Sequence, residues 1–200
     1  SLRNNNIALV PTMGGLHEGH LSLVDKAKSL AQIVVVSIFV NPTQFARGED
    51  FDDYPNTFDS DKLLLESKKV DALFLPSKDE IYPHGTESDY KVGDIGQILC
   101  GAFRPTHFNG VAQVVRRFFE IVNPNYAVFG EKDFQQLLII KSLVKNLNFK
   151  IKIESIPTQR EEDGLAMSTR NQYLSDLDRE KAPHFYSVLS DTRDALLDGK

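Results

Sequence analysis

The chain has 200 residues, with 23 lysines and arginines against 28 aspartates and glutamates, so its net charge is -5. This acidic balance disfavours non-specific attraction to nucleic acid or to an anionic membrane, and it leaves small molecules as the expected partners. The only cysteine, Cys100, cannot form an internal disulfide, and no apolar run approaches the roughly 20 residues that span a bilayer, so we expect a cytoplasmic protein.

Short apolar runs that end at Pro or Gly alternate with longer stretches of helical period, which is typical of repeated strand and helix units. We expect buried parallel strands at 7–10, 33–40, 72–75 and 126–129, and a fifth strand at 151–155, where apolar and charged residues alternate and one face is more exposed to solvent. Apolar residues three or four positions apart predict helices over 21–31, 111–122 and 134–144. The pattern predicts an α/β fold, a Rossmann-like doubly wound parallel sheet.

The character of the sequence changes near Leu174. Ser175 and Asp178 have the spacing of a helix capping box, which opens a polar helix. We therefore expect one domain over 1–174 and the beginning of a second module over 175–200. Little chain follows Leu197 to cover the apolar residues of this module, so we expect the chain to end within it.

The loop after the first predicted strand carries the pattern H-x-G-H, in Pro11-Thr12-Met13-Gly14-Gly15-Leu16-His17-Glu18-Gly19-His20. In open α/β sheets, ligands bind beyond the carboxyl ends of the strands, where a helix N-terminus offers free N–H groups to phosphate. Gly14 and Gly15 allow a close approach of the backbone. His17 and His20 are three residues apart and share one helical face. The loop therefore predicts a nucleotide phosphate site.

The histidine pair also has other interpretations. A zinc site of the H-E-x-x-H type needs histidines four residues apart, and here the spacing is three. His17 and His20 could also do no more than cap a helix. The chain contains neither G-x-x-x-x-G-K-[ST] nor G-x-G-x-x-G, which disfavours a Walker-type or dinucleotide site.

Polar residues follow other predicted strands. The amide of Gln44 can donate to a carboxylate and accept from a hydroxyl, which suits a hydroxy acid. Lys132 and Asp133 follow the fourth strand, where Lys132 can neutralise phosphate and Asp133 can face helical N–H groups or a ribose. Arg170 offers forked donors for phosphate. Taken alone, each of these residues also has a simpler interpretation. Gln44 could be a loop amide and Lys132 a solvated surface lysine. Ser168 and Thr169 could stabilise an ordinary turn.

Five segments resemble, in the same order, sequence blocks of the pantothenate synthetase family, a branch of the H-x-G-H nucleotidyltransferases. They span Pro11 to Asn171 and comprise the H-x-G-H loop, Ser37-Ile38-Phe39-Val40-Asn41-Pro42-Thr43-Gln44-Phe45, Arg104-Pro105-Thr106-His107-Phe108, Gly130-Glu131-Lys132-Asp133-Phe134-Gln135-Gln136 and Gly164-Leu165-Ala166-Met167-Ser168-Thr169-Arg170-Asn171.

The resemblance implies site residues. Catalysis falls to His20, His17 and Lys132, and pantoate or β-alanine binding falls to Gln44 and Gln136. Thr169 stands where the family usually has a second serine, which keeps the hydroxyl. ATP contacts are implied for Met13, Gly14, Gly15, Leu16, His17, Glu18, Gly19, His20, Gly130, Glu131, Lys132, Asp133, Gln159, Met167, Ser168, Thr169 and Arg170.

The resemblance also implies the reaction: an ATP-dependent ligase activates pantoate as pantoyl adenylate and transfers the pantoyl group to β-alanine. The implied reaction requires ATP and Mg²⁺. The resemblance further implies a homodimer and a C-terminal lid domain that begins in 175–200. No protein ligands for a metal are assigned. Asp59 and Asp61 either hold magnesium through water or, in a first helical turn, complement a helix dipole. Arg104 and His107 either support the site or form part of the dimer contact.

Three alternatives stay open at this point. One is a nucleotidyltransferase that transfers a nucleotide to a phosphorylated acceptor and stops. Another is a nucleotide-binding module without catalysis. An aminoacyl-tRNA synthetase is disfavoured, because the acidic chain offers no surface for tRNA and no anticodon-binding region.

Overall fold

The structure, a computed structural model, describes residues 5–87 and 89–199. Its strands are β1 (Ile7–Thr12), β2 (Ile33–Ile38), β3 (Ala72–Phe74), β4 (Tyr126–Gly130) and β5 (Lys152–Ile156). All pair in parallel, in the order β3-β2-β1-β4-β5. The predicted α/β fold with a doubly wound parallel sheet is confirmed.

The helices flank this sheet or follow it. They are α1 (Glu18–Leu30), α2 (Phe58–Ser67), α3 (Lys78–Ile81), α4 (Cys100–Phe103), α5 (His107–Val122), α6 (Phe134–Asn146), α7 (Asp176–Lys181) and α8 (His184–Leu197). The three helices that were predicted from the spacing of apolar residues correspond to α1, α5 and α6. α5 begins four residues before the predicted start, because its first turn already buries Phe108. The helix is capped at its C-terminal end by Asn123, which has a left-handed backbone (φ 47°) and precedes Pro124.

The ends of β1 and β2 differ from the prediction by two residues. Pro11 was expected to stop β1, but the strand continues to Thr12, and Pro11 lies opposite Ser37 in the parallel ladder. Proline lacks only the N–H group, so the carbonyl side of the ladder persists; the Thr12 carbonyl accepts from Phe39 N at 3.1 Å. The residues that follow Thr12 and Ile38 therefore emerge at the same edge of the sheet.

Alternate residues of each strand face opposite layers of helices. Leu9 and Ala127 belong to one core cluster, with α5 and α6, whereas Ala8, Val10 and Val128 belong to another, with α1 and α2. This alternation follows from the two-residue period of a strand. Each large side chain buried in this way contributes roughly 1.5–3 kcal/mol, so the central strands are firmly anchored.

The direction of the strand order reverses between β1 and β4. From β1 the chain passes through α1 to β2 on one side, and from β4 it passes through α6 to β5 on the other. At such a reversal the two loops diverge and leave a crevice beyond the carboxyl ends of the strands. The H-x-G-H loop follows β1 and Lys132 follows β4, so both border this crevice.

The last two helices, α7 and α8, pack only lightly on the rest of the chain. The predicted cap is present, since Ser175 Oγ accepts from Asp178 N at 3.2 Å. The guanidinium of Arg160 lies 3.5 Å from the ring centre of Tyr186, and no residue of α7 or α8 is buried. Of the helices within 5–87 and 89–199, none is long and apolar enough to cross a membrane.

Candidate active site

His17 and His20 lie together at the start of α1. His17 is the N-cap residue, and its Nδ1 accepts from Gly19 N at 3.1 Å. The Nδ1 of His20 accepts from the backbone N–H of His17 at 3.4 Å, which completes a capping box. The two ring centres are 4.1 Å apart. Capping and ligand binding are therefore not exclusive, because the caps fix the rings that line the crevice.

Both imidazoles are neutral near pH 7. Burial, the neighbouring His17 ring and the charge of Lys132 lower the pKa of His20 to about 3. Burial, followed by the charge of Lys132, also lowers the pKa of His17. A ring nitrogen that accepts an N–H bond carries no proton, so in both residues the proton resides on Nε2. The pair thus offers neutral N–H donors and no cationic charge.

A buried carboxylate holds the glycine loop from behind. Asp61 is 2% exposed, and its Oδ2 and Oδ1 accept from Gly15 N at 2.9 Å and Leu16 N at 2.8 Å. Gly14 N donates to Thr12 Oγ1 at 3.3 Å. Both glycines have positive φ, which lets the loop turn its N–H groups towards Asp61. The N–H groups of Gly14, Gly15 and Leu16 are therefore paired within the protein.

The contacts of Asp61 favour a structural role over the predicted contact with magnesium through water. Both of its oxygens are used by the loop, and Oδ2 also accepts from the Thr57 hydroxyl at 3.1 Å. Asp59 lies exposed in the same helical turn. In the part of the chain that the structure describes, no group of three or more His, Cys, Asp or Glu side chains could hold a metal ion.

The loop after β4 brings Lys132 and Asp133 to the crevice. Both follow Gly130 in a short 3-10 helix, Glu131–Asp133, and Lys132 Nζ lies 3.3 Å from Asp133 Oδ1. Glu131 instead accepts from the Ser155 hydroxyl at 2.8 Å. Glu131 therefore braces β5, while Lys132 supplies the positive charge that acts on the histidine pair.

The segment Met167–Arg170 packs directly on the glycine loop. Thr169 Oγ1 donates to the Gly15 carbonyl at 2.9 Å, so the threonine uses the hydroxyl that it shares with serine. A Cβ at Gly15 would lie 2.2 Å from Thr169 Cγ2, which explains why glycine is needed there. Ser168 Oγ accepts from Arg170 N at 3.3 Å and caps the turn.

Arg170 is held by an acidic segment that follows β2. Its Nε and Nη2 donate to the two oxygens of Asp50 at 2.7 and 3.0 Å, and its guanidinium lies 5.2 Å from the ring centre of Tyr54. The hydrogen bonds from Arg170 lower the pKa of Asp50. The arginine is thus oriented by a carboxylate partner at the mouth of the crevice.

Gln44 is fixed on both its side chain and its backbone. Asn41, 1% exposed, donates from Nδ2 to Gln44 Oε1 at 3.0 Å. The Gln44 carbonyl accepts from Arg104 Nη2 at 3.2 Å and from His107 Nδ1 at 2.8 Å. Arg104 is itself paired with Glu49. Of the two interpretations of Arg104 and His107, these contacts favour support of the site.

One cavity of about 270 Å³ gathers most of the predicted residues. Five predicted residues do not line it: Gly14, Gly15, Leu16, Glu18 and Glu131. A second wall is apolar, with Phe39, Val111, Val114, Val115 and Phe118. The predicted residues that line the cavity are Met13, His17, Gly19, His20, Gln44, Gly130, Lys132, Asp133, Gln136, Gln159, Met167, Ser168, Thr169 and Arg170.

Three residues that shape this cavity were absent from the predicted set of binding residues. Asn41 lies three residues before Gln44 within a matched block, and that block could have identified it. Asp50 and Asp61 lie in a stretch rich in acidic residues. No local pattern separates a buried carboxylate from an exposed one there, so only the tertiary contacts reveal them.

Comparisons with known proteins agree with this geometry. A family model for pantoate-beta-alanine ligase matches residues 1–199. A pantothenate synthetase of Vesicomyosocius okutanii is 54% identical over 198 residues, which is 99% of this chain and 70% of the relative. The crystal structure of a pantothenate synthetase from Thermus thermophilus is similar with a TM-score of 0.94 and 47% identity, over 97% of this chain and 71% of that one.

A third comparison concerns ligands. The pantoate-beta-alanine ligase of Francisella tularensis, solved in complex with beta-gamma ATP and beta-alanine, is similar with a TM-score of 0.88 and 46% identity. The match covers 94% of this chain and 72% of that one. With a family model that matches nearly the whole sequence and relatives at about half identity, the chain belongs to the pantoate-beta-alanine ligase family.

Proposed function

We propose that the cavity at the carboxyl edge of the sheet joins pantoate to β-alanine at the expense of ATP, through a pantoyl adenylate. Membership of the family, and a relative solved with an ATP analogue and β-alanine, support this activity. The observation that carries the assignment to these residues is the meeting of His17, His20, Lys132 and Arg170 with Gln44 in one cavity.

In the first half-reaction, a carboxylate oxygen of pantoate attacks the α-phosphorus of ATP, and the bond to the bridging oxygen breaks to release pyrophosphate. Negative charge grows on the phosphate oxygens during this step. Lys132 and Arg170 neutralise it, and the Nε2–H groups of His17 and His20 donate to it without adding charge. Asp50 holds Arg170 until the phosphates compete for the guanidinium.

The pantoate end of the cavity combines amides with an apolar wall. Gln44 already accepts from Asn41, so its Nε2–H₂ group is left to donate to a carboxylate or hydroxyl oxygen of the acid. Gln136 lines the same region, and Val111, Val115 and Phe118 offer contact to a branched aliphatic chain. This arrangement suits a hydroxy acid with an apolar carbon skeleton.

In the second half-reaction, the amine of β-alanine attacks the acyl carbon of the adenylate. The carbon–oxygen bond to the phosphate breaks, AMP leaves, and the amine loses its extra proton as the amide forms. The residues that line the cavity bind and orient both reactants, and no covalent bond to the protein is needed.

We propose that Mg²⁺ arrives with the nucleotide and is held mainly by phosphate oxygens and water. The magnesium ion usually keeps several waters and binds through substrate phosphates. Asp61 is occupied by the glycine loop, so the described residues offer no protein cage for it. The ion would reduce the charge on the phosphates.

We also propose the domain division at 174/175 and a homodimer. Helices α7 and α8 bury no residue, and α8 leaves the apolar side chains of Phe185, Val188 and Leu189 exposed, which supports their assignment to a separate lid module. Exposed apolar side chains at Ile98, Leu99 and Phe103 support a contact with a second copy. Sedimentation at several protein concentrations tests the dimer.

A coupled assay tests the reaction. AMP and pyrophosphate are measured with ATP and Mg²⁺, with pantoate added or omitted and β-alanine added or omitted. We expect both products only when pantoate is present, and multiple turnovers of AMP release only when β-alanine is present as well. Pyrophosphate release without AMP, with a phosphorylated acceptor in place of pantoate, would point to the simpler nucleotidyltransferase, because the AMP would then stay on the acceptor.

A further inference from the structure

The orientation of the Gln44 amide depends on a hydrogen-bond chain that begins outside the cavity. The hydroxyl of Tyr82, a residue 6% exposed, donates to Asn41 Oδ1 at 2.7 Å. Asn41 Nδ2 in turn donates to Gln44 Oε1 at 3.0 Å. Gln44 lines the cavity, whereas Tyr82 does not.

We propose that Tyr82 is a positioning residue for the acid substrate: through Asn41 it keeps the Nε2–H₂ group of Gln44 turned towards the cavity. This inference rests on the proposed function, because it concerns how the same site selects a ligand with an acceptor oxygen. Tyr82 touches no reactant and acts only through its neighbours.

Asn41 can transmit an orientation because every polar group on its amide is used. Its Oδ1 also accepts from Thr43 N at 3.3 Å and from Thr43 Oγ1 at 3.1 Å, and its Nδ2 donates to the Gly110 carbonyl at 3.1 Å. A reversed amide would set NH₂ against these donors and oxygen against the carbonyl. The side chain of Gln44 therefore always faces the Nδ2–H₂ donor of Asn41. Of its two polar atoms, only Oε1 can accept this hydrogen bond.

Tyr82 supplies the shortest of the hydrogen bonds that Asn41 Oδ1 accepts. Burial raises the pKa of Tyr82, so its hydroxyl keeps its proton over the whole working range and remains a donor. The ring lies 6.5 Å from that of Phe39 and packs in the core. A Tyr82→Phe change therefore removes the donor and retains the ring.

The first experiment compares the kinetics of the wild-type chain and Tyr82→Phe. We expect the KM for pantoate to rise about fivefold, the factor that follows from one lost neutral hydrogen bond, with the KM for ATP and the melting temperature nearly unchanged. Tyr126→Phe is the matched control, since it removes a tyrosine hydroxyl at the amino end of β4, away from the cavity. Equal rises in both KM values would assign Tyr82 a merely structural role and overturn the proposal.

The second experiment asks whether the effect passes through Gln44. In a Gln44→Ala background, Tyr82→Phe should leave the KM for pantoate unchanged, because the transmitting amide is absent. A second fivefold rise in that background would overturn the proposal.

The third measurement does not depend on catalysis. The side-chain NH₂ resonances of Asn41 and Gln44 are followed by ¹⁵N NMR, and Tyr82→Phe should shift the Gln44 pair and speed its exchange with water. Unchanged resonances would contradict the chain of contacts. An inactive wild-type chain with the expected resonance changes would instead contradict the proposed function and leave the positioning role supported.

Discussion

At the scale of single residues, the histidines of the H-x-G-H loop have two tasks in one geometry. Each Nδ1 accepts a backbone N–H group, and this bond places the proton on Nε2 in a ring that lines the cavity. Burial keeps both rings neutral, so in the proposed reaction they would stabilise growing phosphate charge as donors. A lysine at either position would add charge but could not accept the capping N–H.

We expect His20→Ala to lower the rate of adenylate formation by about 10²–10³, the usual loss for one donor to a developing charge. The missing cap should cost about 1 kcal/mol of stability, which leaves the fold intact. Pyrophosphate release in the presence of ATP and pantoate measures the rate. His184→Ala, at the exposed start of α8, is the control; near-normal pyrophosphate release from His20→Ala would refute the role.

The lowered pKa of His20 also predicts how stability depends on pH. The unfolded chain binds a proton at His20 below about pH 6.5, whereas the folded chain binds it only near pH 3. Stability from this residue is therefore present above pH 6.5 and lost as the pH falls towards 3, with a slope of at most about 1.4 kcal/mol per pH unit. Urea unfolding of the wild type and His20→Gln at pH 7, 6 and 5 measures the difference. The same dependence of the free energy of unfolding on pH in both chains would show that the fold does not lower the pKa of His20.

At the scale of elements, loops from different parts of the chain are tied together across the site. Asp61 of α2 holds the glycine loop after β1, and Thr169 donates to the same loop from the other side. Glu49 and Asp50, after β2, pair with Arg104 and Arg170. The proposed phosphate-binding part of the cavity is thus built from segments that are distant in sequence but fixed to one another by hydrogen bonds and ion pairs.

We expect Asp61→Ala to lower the free energy of unfolding by about 2 kcal/mol or more. The change leaves the N–H groups of Gly15 and Leu16 without their acceptor, and an unpaired buried donor costs about 1–3 kcal/mol. Asp59→Ala is a matched control in the same turn, because Asp59 is exposed, and it should be nearly neutral. Denaturation is measured without Mg²⁺; a loss that occurs only with Mg²⁺ present would favour the metal-ligand alternative.

The sequence predicted the strands and the main helices because a central parallel strand is a short apolar run and a flanking helix has a clear period. It also predicted most of the polar residues that line the cavity, through position at strand ends and through the matched blocks. It could not predict that the Gly15 N–H group faces Asp61, since a donor's direction depends on a partner 46 positions away. The role of Tyr82 was hidden for the same reason, since its partner Asn41 is 41 positions away.

At the scale of the whole molecule, the core and the cavity draw on different parts of the chain. Both described core clusters consist of residues up to Ile156, so the sheet and its helices hold themselves together. The cavity also needs Gln159 and Met167–Arg170, which lie beyond that core. These residues are connected to α7 and α8 through the Arg160–Tyr186 stack and the Arg179–Asp163 ion pair.

We therefore expect a chain that ends at Leu174 to fold but to lose activity. The contacts removed are an exposed ion pair, worth about 0–1 kcal/mol, and one cation–π stack of about 0.5–1 kcal/mol, so the melting temperature should fall by only a few degrees. Pyrophosphate release should fall more, because the segment that leads to Met167, in which Arg160 and Ala166 form an antiparallel bridge, loses its support. Circular dichroism melts and the pyrophosphate assay measure both; loss of cooperative unfolding would show that α7 and α8 belong to the first domain.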